Sequence, residues 1–382
     1  MQPKRRIYLD HHGGAPLDPR VKEAMRAVLE EGFFANPSST HQEGRKARQA
    51  LEEARERVAS ALEVSPLEVV FVSGGTEACN LAIFGTLSLP GPWGVVSSTI
   101  EHPAVSEAIA KFERQGIPWI RWDLHNESLL PELAHRIEEA GGRKRRWLLA
   151  VQAVSHEVGI VFNVEKIVSH LPPDGIVFVD ACQGLGKIEV SRFLKKGWMV
   201  ALSGAKCGGP LGSGALIVPR GVELEPHHLG GPQERGRRAG SPDLLAQIGF
   251  GWACAFVEER RKQVQNIRRL RDRLEQSLIA LGGVVNGCEF ERVATVTNLS
   301  FPGWRKVLLV AAIDLEGVSA SPGAACSSGL DQPSSVIRAL YPHEPWRAQS
   351  CVRFSLGPET KEEEIDEAIS IIERVLRRAS YG

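Results

Sequence analysis

The sequence predicts a large α/β domain around a mostly parallel sheet, joined to a smaller α+β domain. Three observations carry this. Between about residue 65 and residue 220, short and nearly continuous apolar runs alternate with helix-like stretches, the pattern of strands covered on both faces. Beyond about residue 255 the texture changes to long helices with a single apolar stripe. The 382 residues, 43% of them hydrophobic, are enough for two domains with a sizeable core. The boundaries read as residues 15–255 for the large domain, and residues 1–14 with 256–382 for the small one.

Taken in order, Thr40-His41-Gln42-Glu43 fits a capping box, and Ala47, Leu51, Ala54, Val58 and Leu62 follow at helical spacing. The expected strands are Val69–Val72, Gly94–Ser97, Trp147–Val151, Ile176–Val179 and Met199–Leu202, with a further apolar run at Ala215–Val218. In the second domain Val264, Ile267, Leu270, Leu274, Leu278 and Leu281 form one helical stripe, and Gly282 fits a C′ stop. A second capping box is expected at Thr360-Lys361-Glu362-Glu363. Ile365, Ala368, Ile369, Ile372 and Leu376 then form its buried stripe, with acids leading and arginines closing as the macrodipole favours.

Lys+Arg and Asp+Glu both total 46, so no bulk field attracts nucleic acid or an anionic membrane, and direct nucleic-acid binding is not expected. No apolar run reaches the length of a membrane span. Basic residues at the N-terminus are followed by no long apolar stretch, so no secretory signal is expected and the cytoplasm is the default location. The seven cysteines (79, 182, 207, 254, 288, 326 and 351) are odd in number and widely spaced, without a Cys-x-x-Cys. That argues against a disulfide framework and a zinc ribbon, and no metal site is expected.

Four strand ends carry polar residues that can converge, since ligands of open α/β sheets bind beyond the carboxyl ends of the strands. Ser73 to Asn80 joins a strand to a helix. It reads equally as an anion site, with backbone N–H groups and the Thr76 hydroxyl, or as a plain turn with a threonine cap. Asp180 ends a buried strand, where a carboxylate meets a cation or caps the next helix. His102, fixed before Pro103, can stack on a flat ring and shuttle protons, or sit in a surface loop. Lys206 lies between the run Trp198–Leu202 and a glycine-rich turn, where partial shielding favours an amine nucleophile over an ordinary solvated lysine only if other groups join it. A phosphate site, an acid for a ring nitrogen, a stacking ring and a shielded lysine are together the parts needed to bind pyridoxal phosphate.

At this point the chain resembles the class V aminotransferase group, and within it the NifS/IscS-type cysteine desulfurases. The likeness rests on Ile7-Tyr8-Leu9-Asp10-His11, Asn36-Pro37-Ser38-Ser39, the Ser73–Asn80 turn and Glu101-His102. It extends through Asp180-Ala181-Cys182-Gln183, Arg235 to Pro242, Gly323 to Gly329, and Val352 to Gly357. The resemblance implies a pyridoxal-phosphate fold of type I. Lys206 would bind the cofactor covalently, Asp180 would pair with the ring nitrogen, Gln183 would bond the phenolic oxygen and His102 would stack on the ring. Gly75, Thr76 and Ser203 would hold the phosphate, joined across a homodimer by Ser241. Arg353 would clamp the substrate carboxylate. Cys326, in a segment of small residues, would attack the sulfur of L-cysteine, release L-alanine and keep the sulfur as a persulfide. That persulfide would pass to an acceptor or scaffold protein for iron–sulfur or other thio-cofactor synthesis.

The chain departs from the family pattern at three places. Ala205 stands where a histidine usually precedes the lysine. Ser155-His156-Glu157 replaces Asn-Asn-Glu, and His156 is a candidate substrate contact. His12-Gly13-Gly14-Ala15 replaces a segment ending in Ala-Thr-Thr. Three readings follow: a desulfurase with a remodelled pocket, a related cysteine or selenocysteine lyase, and a dimeric scaffold paralogue with impaired catalysis.

Overall fold

The computed structural model describes residues 6–32, 35–123, 130–323 and 332–378. In chain order its strands are β1 (Ile7–Tyr8), β2 (Val69–Val72), β3 (Trp93–Ser98), β4 (Trp119–Trp122), β5 (Arg146–Gln152), β6 (Ile176–Asp180), β7 (Met199–Ser203), β8 (Gly214–Ile217), β9 (Val284–Val285), β10 (Val296–Ser300), β11 (Val318–Ser319) and β12 (Cys351–Ser355). The chain divides into two compact units. One holds residues 16–153 and 162–258, and the other residues 1–15, 154–161 and 259–382.

The larger unit contains a seven-stranded sheet in the order β2-β8-β7-β6-β5-β3-β4. Pairing is parallel from β7 through β6, β5 and β3 to β4. β8, formed by the second apolar run, is antiparallel to both β7 and β2. Two reversals restore direction, so β2 runs with β7. The carboxyl ends of β2, β7, β6, β5 and β3 therefore share one edge. The continuous apolar strands are buried on both faces, as the sequence pattern requires. On one face Val70, Val95, Leu148, Phe178 and Met199 pack against Ala78, Ile83, Val105 and Ile109 of helices Gly75–Leu87 and Pro103–Glu113. β4 escapes a search for apolar runs because the exposed Arg121 interrupts it at the sheet edge.

The smaller unit pairs β1 with β11 in parallel and carries the antiparallel sheet β12-β10-β9. Helices Val264–Ala280 and Glu362–Arg378 bury Ile267, Leu270, Leu274 and Leu278 with Ile365, Ala368, Ile372 and Leu376. The first helix ends in a Schellman motif: Gly282 N–H donates to Ile279 O and Gly283 N–H to Leu278 O, both at 2.9 Å. Residues 154–161 join this unit through Val161 N–H to Glu291 O (2.8 Å) and Val293 N–H to Gly159 O (2.9 Å).

Both expected capping boxes shift. Helix Gln42–Leu62 is capped by His41, not Thr40. The imidazole Nδ1 accepts from Gly44 N at 3.2 Å, so a ring nitrogen does what the hydroxyl was expected to do. At Glu362–Arg378 the Thr360 hydroxyl instead accepts from Gly357 N, and Lys361 N–H donates to Glu364 one residue later. The buried stripe of that helix includes Ile371 and Val375, while Ile369 is only half-buried. No helix among the described residues is long and apolar enough to cross a membrane.

Candidate active site

On the carboxyl edge of the large sheet, Lys206 closes a single 3-10 turn (Gly204–Lys206) that leaves β7 directly. The turn is braced by Gly204 N–H to Ser213 O (3.0 Å), Cys207 N–H to Gly204 O (3.1 Å) and Ser213 Oγ to Pro210 O (2.7 Å). Lys206 and Ala205 are both half-buried, so the amine sits on a rigid hairpin and not on a free loop. One strand away, Asp180 ends β6 between Gln152 of β5 and Ala201 of β7. It is 7% exposed, and its Oδ1 accepts from Cys182 N at 3.0 Å. A buried carboxylate on this edge is suited to a cationic N–H.

His102 is not in a loose loop. It caps helix Pro103–Glu113, its Nδ1 accepting from Ala104 N at 3.0 Å. In the neutral ring this puts the proton on Nε2 and fixes the ring's orientation. Its neighbour Glu101 is buried, with Oε2 accepting from Gln152 N at 2.8 Å and Oε1 from the Ser98 hydroxyl. Burial pushes the Glu101 carboxyl up to about 8. The Ser98 hydrogen bond opposes this and the nearby Asp180 adds to it.

Helix Gly75–Leu87 starts at Gly74 with no side-chain cap, so Thr76 is exposed and does not close the helix end. That leaves the turn suited to an anion. Gly75 is needed for a close approach: a Cβ there would lie 2.4 Å from Cys182 Sγ and 3.4 Å from Ser203 Cβ. Beside it Glu77 accepts from Ser73 N and from Arg238 Nε, both at 2.7 Å. Burial alone raises the Glu77 carboxyl, but the Arg238 and Ser73 hydrogen bonds outweigh it and hold the group at about 2. Gln183 is buried, and its Oε1 accepts from Lys187 Nζ at 2.7 Å, so its NH2 end is the one suited to an acceptor. Ser203 is the buried last residue of β7, and Ser241 lies exposed in a loop.

In the smaller unit Arg353 of β12 is 2% exposed. Its Nη2 donates to Asp10 Oδ1 at 2.7 Å and its Nη1 to His156 O at 2.9 Å, while buried Nε has no hydrogen-bond partner among the described residues. A buried guanidinium with an unused N–H can take a further acceptor. His156 therefore meets Arg353 through its backbone. Gly13 makes the Asp10 arrangement possible, because a Cβ there would stand 2.2 Å from Asp10 Oδ2. His12 is buried with Nε2 3.0 Å from Thr295 Oγ1. Cys326 lies outside the described residues.

Lys206, Asp180, Gln183, His102, Gly75, Thr76 and Ser203 thus belong to one unit and one sheet edge, while Arg353 and His156 share the other unit. Reading the sequence missed Asp10 as Arg353's partner and the proximity of Cys79 and Cys182 to Asp180. The first could be suspected from an acid closing the opening apolar strand. Nothing in the spacing announces the second.

Known proteins resemble this chain over nearly its whole length. Residues 7–368 match the class-V aminotransferase family. A cysteine desulfurase of Trichormus azollae is 35% identical over 380 residues, 97% of this chain and 93% of that protein. The solved structure of a NifS-like protein superposes with a TM-score of 0.85 at 28% identity, over 98% of this chain and all of its own. That of SspA in complex with cysteine gives 0.74 at 28% identity, over 93% of this chain and 99% of its own. The chain belongs to the class-V aminotransferase family, in the group of the cysteine desulfurases.

Proposed function

We propose that the chain is a pyridoxal-phosphate-dependent cysteine desulfurase. It takes sulfur from L-cysteine, releases L-alanine and holds the sulfur as a persulfide on Cys326. The observation that carries this is the meeting, on one sheet edge, of half-buried Lys206, buried Asp180, the oriented His102 ring and an uncapped helix start at Gly75.

The donor set fits the cofactor. Among the described residues the helix start has no side-chain cap, Gly75 presents no Cβ, and Asp180 is a buried acid on the same sheet edge. When bound, pyridoxal phosphate supplies an electron sink for charge developing at the substrate Cα. The chain's residues do the rest. Gly75, Thr76 and Ser203 receive the phosphate, aided by Ser241 from a second copy of the chain. Asp180 keeps a proton on the ring nitrogen, Gln183 donates its amide to the phenolic oxygen, and His102 covers the ring. Lys206 binds the cofactor and moves the substrate Cα proton. Arg353, through its unused Nε–H, takes the substrate carboxylate, with the His156 backbone steadying the guanidinium. The enzyme acts as a cytoplasmic homodimer and passes its persulfide sulfur to an acceptor protein.

Purified protein with added cofactor should show a visible absorption band that disappears in Lys206→Ala. With L-cysteine and a reductant it should release sulfide and alanine in equal amounts. No band under any loading condition sinks the reading. Sulfide release that survives Cys326→Ala moves the assignment to a lyase.

A further inference from the structure

Outside the roles assigned above, two thiols stand against Asp180. Cys79 lies on helix Gly75–Leu87, and Cys182 follows β6 by two residues. The sulfur atoms of both and a carboxylate oxygen of Asp180 all lie within 4.8 Å of one another. We propose that Cys79, Cys182 and Asp180 form a binding site for a thiophilic divalent cation of the zinc and cadmium class.

The distances suit this. Zinc bonds sulfur at about 2.3 Å and carboxylate oxygen at about 2.1 Å, so tetrahedral donors sit about 3.6 Å apart. The three atoms need to close by roughly 1 Å at most. The site is also positioned. Asp180 Oδ1 accepts from Cys182 N, which fixes the carboxylate relative to that loop, and the missing Cβ of Gly75 leaves the space that Cys182 Sγ fills. Cys79 is buried and Cys182 half-buried, so the cluster has a deep end and an accessible end. Three protein donors leave a fourth position for water.

Charge balance favours a dication. Two thiolates and one carboxylate carry three negative charges, a dication leaves one, and Lys206 stands near enough to act on the Cys182 thiol. An incoming cation displaces two thiol protons to solvent, one from each cysteine.

Since Asp180 is also assigned to the cofactor's ring nitrogen, cation and cofactor compete. That second half rests on the proposed function, while the cation site itself does not. The test is a cadmium titration of the full chain freed of cofactor, in a Cys288→Ser, Cys326→Ser background that removes the exposed thiol and the candidate acceptor. Ultraviolet thiolate-to-cadmium absorption should saturate at one cadmium per chain. Cys79→Ala and Cys182→Ala should weaken binding at least a hundredfold, and Asp180→Asn at least tenfold. Cys182→Thr, closer in size, guards against a folding defect and should also abolish the signal. No stoichiometric uptake by the parent, or uptake that survives loss of both cysteines, overturns the site. Reloading with pyridoxal phosphate should weaken cadmium binding at least tenfold. Unchanged affinity overturns the competition. A chain that takes up no cofactor sinks the cofactor reading and the competition together, while the first titration still decides the site.

Discussion

Replacing Glu101 with glutamine should flatten the pH dependence of stability between about pH 5 and pH 8. In the fold Glu101 titrates at about 8, against an ordinary carboxyl value of 4.5. The folded protein therefore keeps a proton that the unfolded chain releases above 4.5. The linkage sign follows: this contribution is fully present below pH 4.5 and is lost as pH rises through about 8. At about 1.4 kcal/mol per pH unit the full span is of the order of 5 kcal/mol. Glutamine is neutral throughout and keeps the geometry. Its oxygen can still accept from Gln152 N, and its NH2 can donate to the Ser98 oxygen. Urea unfolding of cofactor-free protein, at half-unit steps across this window, measures the effect. Wild type should lose a few kcal/mol relative to Glu101→Gln between the two ends, with equal m-values. Parallel curves for the two proteins would mean that Glu101 is ionised in the fold and the argument is wrong.

Gly75→Ala should cost about 1–3 kcal/mol by overpacking against Cys182 Sγ, and Cys182→Ala in the same chain should restore at least half of it in a double-mutant cycle. Additive effects would break that link. Arg55 Nη1 and Nη2 meet the Glu234 carboxylate at 2.7 and 2.9 Å, and both residues are buried. Arg55→Met leaves that carboxylate unpaired and should cost about 3–5 kcal/mol in chemical denaturation, and a loss under about 1 kcal/mol counts against the pair. Arg353→Lys cannot serve Asp10, the His156 carbonyl and a substrate carboxylate together. The KM for L-cysteine should rise at least tenfold with a smaller change in kcat, and an unchanged KM removes Arg353 from substrate binding.

The strands were legible because burial on both faces leaves a run of apolar residues, which is why Val69–Val72 is recovered to the residue. β4 was not, since an edge strand can hold an exposed Arg121 between buried Ile120 and Trp122. Helix starts were the weakest part: a hydroxyl three residues before an acid suggests a box, but His41 and Lys361 take the positions expected of Thr40 and Thr360. The parts expected to hold the cofactor were legible because each follows an apolar strand (β2, β3, β6 or β7), and the carboxyl ends of these strands share one edge. Residues brought together from distant segments were not. The Asp10–Arg353 pair spans 343 positions, and Cys79 meets Cys182 with no repeat or motif linking them.

The parallel pairing of β1 with β11 has a consequence for how the protein is made. Ile7 sits opposite Val318, and Leu9 N–H donates to Ser319 O. β1 leaves the ribosome with no partner until Val318 and Ser319 have followed it. At roughly 5–20 residues per second that wait is on the order of 15–60 s. During this time Ile7 and Leu9, both fully buried at the end, travel without cover. The larger unit, complete at residue 258, can assemble while the nascent chain still grows, whereas the smaller one closes only after β11 has been made. Chains stalled before Val318 should therefore expose Ile7 and Leu9, and a binder of short apolar segments would capture them selectively.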